Sequence, residues 1–293
     1  MWKRLQQIGL ACAIKKIKHT IFMEKEVRDL CARNGAYDYL LKYKNTIDLQ
    51  DNWNASPKRK VIWTCWWQGV SSAPPIVQKC INSMSKYANG FEVIVIDNNN
   101  VSNFIQLPAF VVEKHDKGII PHAHFSDILR VALLEKYGGI WIDSTILLTS
   151  NLPEYIVNAD LFLFRGSGLA HTPIYNPFIA ANPNHPIIEA VFQLLLEYWK
   201  HENKLVSYSI FHLFFEMAIN ASPFYKDLWN LVPNVSGTQM FYLQSNLGKD
   251  FDKSMFDLAT AISPVHKLTY KYNDVNLDIE KPETLYQYIL ESF

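Results

Sequence analysis

The feature that most constrains this chain lies between Ser126 and Thr145, where a helix-patterned run stops at Gly138-Gly139 and a strand ending on an acid follows at once. Ile128, Leu129, Val131, Leu133 and Leu134 supply the apolar side of that helix, and Asp127 and Arg130, three apart, share one face. Ser126 stands where an N-cap is expected. The two glycines free the backbone from helical geometry, and Ile140-Trp-Ile142 has the make-up of a short strand with Asp143 at its carboxyl end. A helix feeding directly into such a strand implies an α/β sheet, whose ligands gather beyond the carboxyl ends of the strands.

The neighbouring sequence repeats this alternation. Lys60 to Trp67 reads as a strand, followed by a loop from Gln68-Gly69 to Pro75 and a helix from Pro75 to Tyr87. Phe91 to Ile96 reads as the next strand and ends in the polar cluster Asp97 to Asn100. Strands alternating with helices predict right-handed crossovers and a mostly parallel sheet of Rossmann type. Further on, Ile187 to Trp199 and Ser209 to Ile219 read as helices, and Pro264 to Lys271 as a strand. Upstream, Val27, Leu30, Tyr37, Leu40 and Leu41 recur at helical spacing. The expected organisation is a helical extension over residues 1–50 and one α/β domain over 51–293, joined by the Asn- and Pro-containing stretch from Asn45 to Lys60.

Composition narrows the partners. Lys+Arg and Asp+Glu balance at 28 each, so no global field draws nucleic acid, and none is expected as a partner. With 49% apolar residues the chain has ample material for a core. Four cysteines show no metal-finger spacing and read as free thiols of a reducing cytoplasm. Lys3, Arg4, Lys15, Lys16 and Lys18 surround an apolar run from Ile8 to Ile14 that is too short to span a bilayer. Two readings of this segment stay open: a basic helix lying peripherally on the inner face of a membrane, or a surface helix packing Leu5, Ile8 and Leu10 on the body.

The chemistry centres on Asp143. A carboxylate at a strand end suits a divalent cation of the Mn2+ or Mg2+ type bridging two phosphates, since such ions take one or two carboxylates plus phosphate oxygens. Asp127 and Arg130, read alone, amount to a surface ion pair worth a few tenths of a kcal/mol. Their position just before the glycine stop and Asp143 argues for more.

The run Ala123-His-Phe-Ser-Asp-Ile-Leu-Arg-Val-Ala-Leu-Leu-Glu-Lys-Tyr-Gly-Gly-Ile-Trp-Ile-Asp-Ser-Thr145 resembles the signature of the capsular polysaccharide synthesis proteins, relatives of glycosyltransferase family 32. Trp66-Trp67, Phe178 to Ala181 with His185-Pro186, Tyr208 to His212, and His266 to Lys271 extend the likeness over about residues 61–271. The resemblance implies a GT-A type fold, a UDP- or GDP-linked sugar donor, a glycan acceptor, manganese or magnesium, and transfer with retention of configuration. By position it implies that Trp66 stacks on the base, that Asp127 and Arg130 contact the ribose or donor sugar, and that Asp143 opens an Asp-x-Asp element. Here the second acid of that element is replaced by Thr145, a weaker neutral ligand, which puts metal dependence in question. His266 is a candidate second metal or diphosphate ligand, Lys267 and Lys271 are candidate phosphate contacts, and Asn176 is a candidate sugar contact. Trp63, Trp67 and Trp141 read as core, and His122 and His124 as local packing near the cleft. The expected activity is hexosyl transfer to a surface or capsular glycan; the Thr145 departure keeps a non-catalytic sugar-nucleotide or glycan binder as the alternative.

Overall fold

A computed structural model describes residues 25–166, 173–275 and 277–293. The helices are α1 (Lys25–Leu40), α2 (Pro75–Lys86), α3 (Ala109–Asp116), α4 (His122–Tyr137), α5 (Glu154–Val157), α6 (Pro186–His201), α7 (Ile210–Ile219), α8 (Pro223–Leu231), α9 (Lys253–Ile262) and α10 (Leu285–Ser292). The strands are β1 (Val61–Cys65), β2 (Glu92–Ile96), β3 (Gly139–Ile142), β4 (Ile146–Leu148), β5 (Leu161–Arg165), β6 (Ile174–Ala181) and β7 (Val265–Lys267). Five strands form one sheet in the order β2-β1-β3-β6-β5, and β4 pairs with β7 in a separate two-stranded ladder. β1 runs parallel to β2 and to β3, while β6 is antiparallel to both β3 and β5. Four of the five strands therefore point the same way and β6 alone is reversed.

Side-chain alternation assigns the two faces of the sheet. Val61, Trp63, Trp141, Leu163 and Ile179 face α4, α6 and α7 in the largest cluster of buried residues. Ile62, Ile140, Ile142, Phe162, Phe164 and Phe178 face the other way, against Ile146 and Leu148 of the small ladder. Because both faces are covered, the strands carry apolar residues at nearly every position. α6 begins at Pro186, where the absent N–H costs nothing, and the His185 side chain accepts from the Ile187 N–H at 3.3 Å.

The glycine pair sets the approach of β3 to β1. Gly139 has φ +104°, and a Cβ there would lie 2.7 Å from both Val61 Cγ1 and the Val61 carbonyl oxygen. No L-side chain fits, so the junction between α4 and the sheet requires glycine at 139. Next to it, the Trp63 indole N–H donates to the Gly138 carbonyl at 2.9 Å.

Several details differ from the sequence reading. α4 starts at His122, one turn before Ser126, because Pro121 is extended and its carbonyl accepts from the N–H groups of His124 and Phe125. Ser126 therefore sits inside the helix and caps nothing. The predicted strand over 264–271 shrinks to Val265–Lys267, the only part with a ladder partner. Within the expected extension, Ala36, Leu40, Tyr43 and Ile47 join the same buried cluster as α6 and α7. The basic segment around Ile8 to Ile14 lies outside the described residues. Among the described residues, no helix is long and apolar enough to cross a membrane.

Candidate functional site

A cleft of about 500 Å3 opens beyond the carboxyl ends of β1 and β3, with Asp143 in its floor. The chain turns there: the Asp143 N–H donates to the Pro177 carbonyl, and the Asp143 carbonyl accepts from the Ile146 N–H, each at 2.8 Å. That turn presents Ser144 and Thr145 to the cleft and starts β4. β7 pairs alongside with Lys267 opposite Ile146, and the Leu268 N–H donates to the Thr145 carbonyl at 2.8 Å. A lysine from near the end of the chain is thus held beside an acid from its middle.

Both carboxylate oxygens of Asp143 are occupied. Oδ1 accepts from Trp141 Nε1 at 2.9 Å and from Arg130 Nη2 at 3.2 Å. Oδ2 accepts from Lys267 Nζ at 3.1 Å, and the same ammonium donates to Thr145 Oγ1 at 2.5 Å. Burial pushes the Asp143 carboxyl upward, but the Lys267 and Arg130 charges outweigh it and hold the group below its ordinary value. Asp143 is therefore a carboxylate across the physiological range.

Asp127 lies behind it, one helical turn from Arg130. Its Oδ1 accepts from Asn176 Nδ2 at 2.9 Å and lies 3.2 Å from Arg130 Nη1. Arg130 Nη1 also donates to the Asn176 carbonyl at 2.7 Å, and its guanidinium lies over the Trp141 ring, 5.2 Å from the centroid. Asp127 and Arg130 are only 6% and 4% exposed. This is no solvated surface pair. Burial pushes the Asp127 carboxyl up to about 6, with Arg130 pulling it down and Asp143 adding to the rise. Nearby, burial and the Arg130 charge lower both His124 and His212 to about 4, so both rings are neutral at pH 7.

Trp66 and Tyr270 form an aromatic wall at the β1 end, packed edge to face at 5.3 Å. Trp67, His122, Tyr208, His212, Gln244, Thr269 and Lys271 complete much of the remaining lining. The fold thus brings Trp66, Asp127, Arg130, Asp143, Thr145, Asn176, Lys267 and Lys271 to one cleft. The sequence reading missed Trp141, assigned to core; it is 1% exposed, yet its N–H orients Asp143. Its spacing of two residues from Asp143 along a strand was the available signal. Tyr270, Gln244 and Phe241 carried no local signal.

His266 requires correction. It is fully buried, does not line the cleft, and pairs in the β4–β7 ladder opposite Leu147. Its Nε2 lies 3.3 Å from Thr149 Oγ1. Alternation along β7 turns residue 266 inward and residue 267 to the cleft, so the imidazole is not offered to a metal or a phosphate. Among the described residues, no group of three or more His, Cys, Asp or Glu is close enough to hold a metal ion. The donors at the Asp143 turn are one carboxylate with both oxygens engaged and one hydroxyl that already accepts from an ammonium. Magnesium wants near-octahedral oxygen ligands at about 2.1 Å; without phosphate oxygens, this set is too small and too engaged to hold a divalent cation tightly.

A sequence profile described as capsular polysaccharide synthesis protein matches residues 18–289. An uncharacterized glycosyltransferase of Acanthamoeba polyphaga mimivirus is 28% identical over 135 residues, 45% of this chain and 53% of that protein. The O-glycosyltransferase braB of Annulohypoxylon truncatum is 26% identical over 158 residues, 48% of this chain and 38% of its own. The match thus spans about half, or less, of these curated relatives' lengths. Among solved structures, the PaToxG glycosyltransferase superposes with a TM-score of 0.43 at 15% identity, covering 91% of this chain and 95% of its own.

Proposed function

The chain belongs to the capsular polysaccharide synthesis protein family, and from that footing we propose that it transfers a sugar from a nucleoside-diphosphate donor to a hydroxyl of a surface or capsular glycan. One observation carries the reading. An ionised acid, two cations and an aromatic wall converge in a single cleft beyond the carboxyl ends of β1 and β3, where an α/β sheet receives nucleotides.

The roles follow from charge and shape. The nucleobase stacks on Trp66, a contact worth roughly 1–3 kcal/mol. The diphosphate lies toward Lys267 and Lys271. Asp127, Arg130 and Asn176 form a rigid polar cluster beside it that fixes the ribose or the donor sugar, while Asp143 holds Arg130 and Lys267 in place. As the bond between the anomeric carbon and the diphosphate breaks, negative charge grows on the leaving oxygen; preorganised cations there provide the largest electrostatic contribution. The acceptor oxygen attacks from the same face and forms the new glycosidic bond. Its proton passes to the departing phosphate oxygen, so no enzymatic nucleophile is needed and configuration is retained.

The test is a screen of uridine- and guanosine-linked sugars for hydrolysis and transfer, run with the wild-type chain and with Asp143→Ala. We expect turnover of at least one donor and its loss in the variant, with the circular-dichroism spectrum unchanged. Equal turnover by folded Asp143→Ala refutes the assignment of the site.

A further inference from the structure

We infer that the Lys267 ammonium takes the place a divalent cation would hold at the Asp143 turn, so that this protein binds its diphosphate without a metal. The inference rests on the donor-site reading above and deepens it.

Three observations carry it. First, the ammonium spans the two groups that correspond to the ends of the acidic motif, at 3.1 Å from Asp143 Oδ2 and 2.5 Å from Thr145 Oγ1. A cation already bridges the carboxylate and the hydroxyl. Second, Thr145 suits an ammonium better than a metal. A hydroxyl is a weak neutral ligand for a hard divalent ion but a good acceptor for N–H, and a second carboxylate there would draw in a further positive charge. Third, the local charge is balanced: Asp127 and Asp143 face Arg130 and Lys267 in one connected network. Before the diphosphate arrives, a divalent ion would either displace Lys267 or leave the cluster two charges in excess.

Geometry also leaves the ammonium able to act on a ligand. An ammonium has three N–H donors. Two are directed to Asp143 and Thr145, which leaves the third for a phosphate oxygen in the cleft that Lys267 lines. The lysine is only 21% exposed, so its charge is less screened than that of a surface residue. Strand β7 fixes its backbone through the ladder to β4. A tethered cation held by strand pairing does not dissociate, and a chelator cannot remove it.

The experiment measures binding rather than turnover. UDP and GDP are titrated calorimetrically into the wild-type chain in EDTA and, separately, with manganese chloride; UMP and GMP serve as ligands lacking the second phosphate. Lys267→Met and Lys267→Arg are titrated alongside, and manganese alone is followed by electron paramagnetic resonance. We expect one diphosphate to bind the wild type within about threefold of the same affinity in both buffers, with no stoichiometric manganese site. Lys267→Met should lose about tenfold or more toward the diphosphate in EDTA, little toward the monophosphate, and Lys267→Arg should recover most of the loss. Wild-type binding that appears only with manganese overturns this inference and leaves the donor reading standing. Undiminished diphosphate binding by Lys267→Met in EDTA overturns it too. If neither diphosphate binds under either condition, the donor reading falls, and this inference with it.

Discussion

Asp127→Asn isolates what the interior of the site costs the fold. The carboxyl is 6% exposed and sits between Arg130 and Asn176, and burial lifts it to about 6 from the 3.8 of a free side chain. The sign follows from linkage. Between these two values the folded chain binds a proton that the unfolded chain does not, so stability increases as pH falls and is lost as pH rises through about 6. Over the full span the effect is about 3 kcal/mol; between pH 7 and pH 5 alone it is about 1 kcal/mol. The amide of the variant cannot titrate and keeps the shape of the side chain. The assay is urea denaturation of both proteins at pH 7, 6 and 5, reading the wild-type stability minus that of the variant. Subtraction removes the opposite contribution of Asp143, whose depressed carboxyl weakens the fold as pH falls. We expect the difference to shift toward the wild type by about 1 kcal/mol from pH 7 to pH 5. A flat difference, or one of opposite sign, would show that the Arg130 ion pair outweighs burial and that the cluster is ionised without penalty.

Two further outcomes are expected. Trp66→Ala should raise the donor KM by roughly 5- to 150-fold, the equivalent of about 1–3 kcal/mol of stacking, and leave the acceptor KM alone; an effect confined to the acceptor would contradict the stacking role. Gly139→Ala should destabilise the chain by about 3 kcal/mol or more, because a positive φ and a 2.7 Å approach to Val61 combine strain with overlap; a loss under about 1 kcal/mol would mean that β3 can retreat from β1.

Local chemistry explains what the sequence disclosed. Asp127, Arg130, Gly138, Gly139 and Asp143 lie within 17 residues of one another, and helix spacing plus the glycine stop suffices to orient them. Trp66 was likewise readable from a strand end. Long-range pairing was not. Nothing near Ile174 signals that β6 runs against its neighbours, although that reversal sets its amino-terminal end beside the carboxyl end of β3 and so brings Asn176 to Asp127. The sequence favoured His266 over Lys267 as the metal-site residue, because imidazole is the better ligand; register along three residues of β7 reversed that preference. Trp141 looked like core because it is core, and a single N–H gives it a second task.

The pairing of β4 with β7 has a consequence for how the protein is made. Asp143 leaves the ribosome long before Lys267, 124 positions later, so a nascent chain can assemble the sheet as far as β6 while its acid answers to Arg130 alone. Only when β7 has emerged and docked does the second positive charge arrive. Synthesis interrupted before that point leaves Asp143 without the Lys267 ammonium and the cleft without that part of its lining.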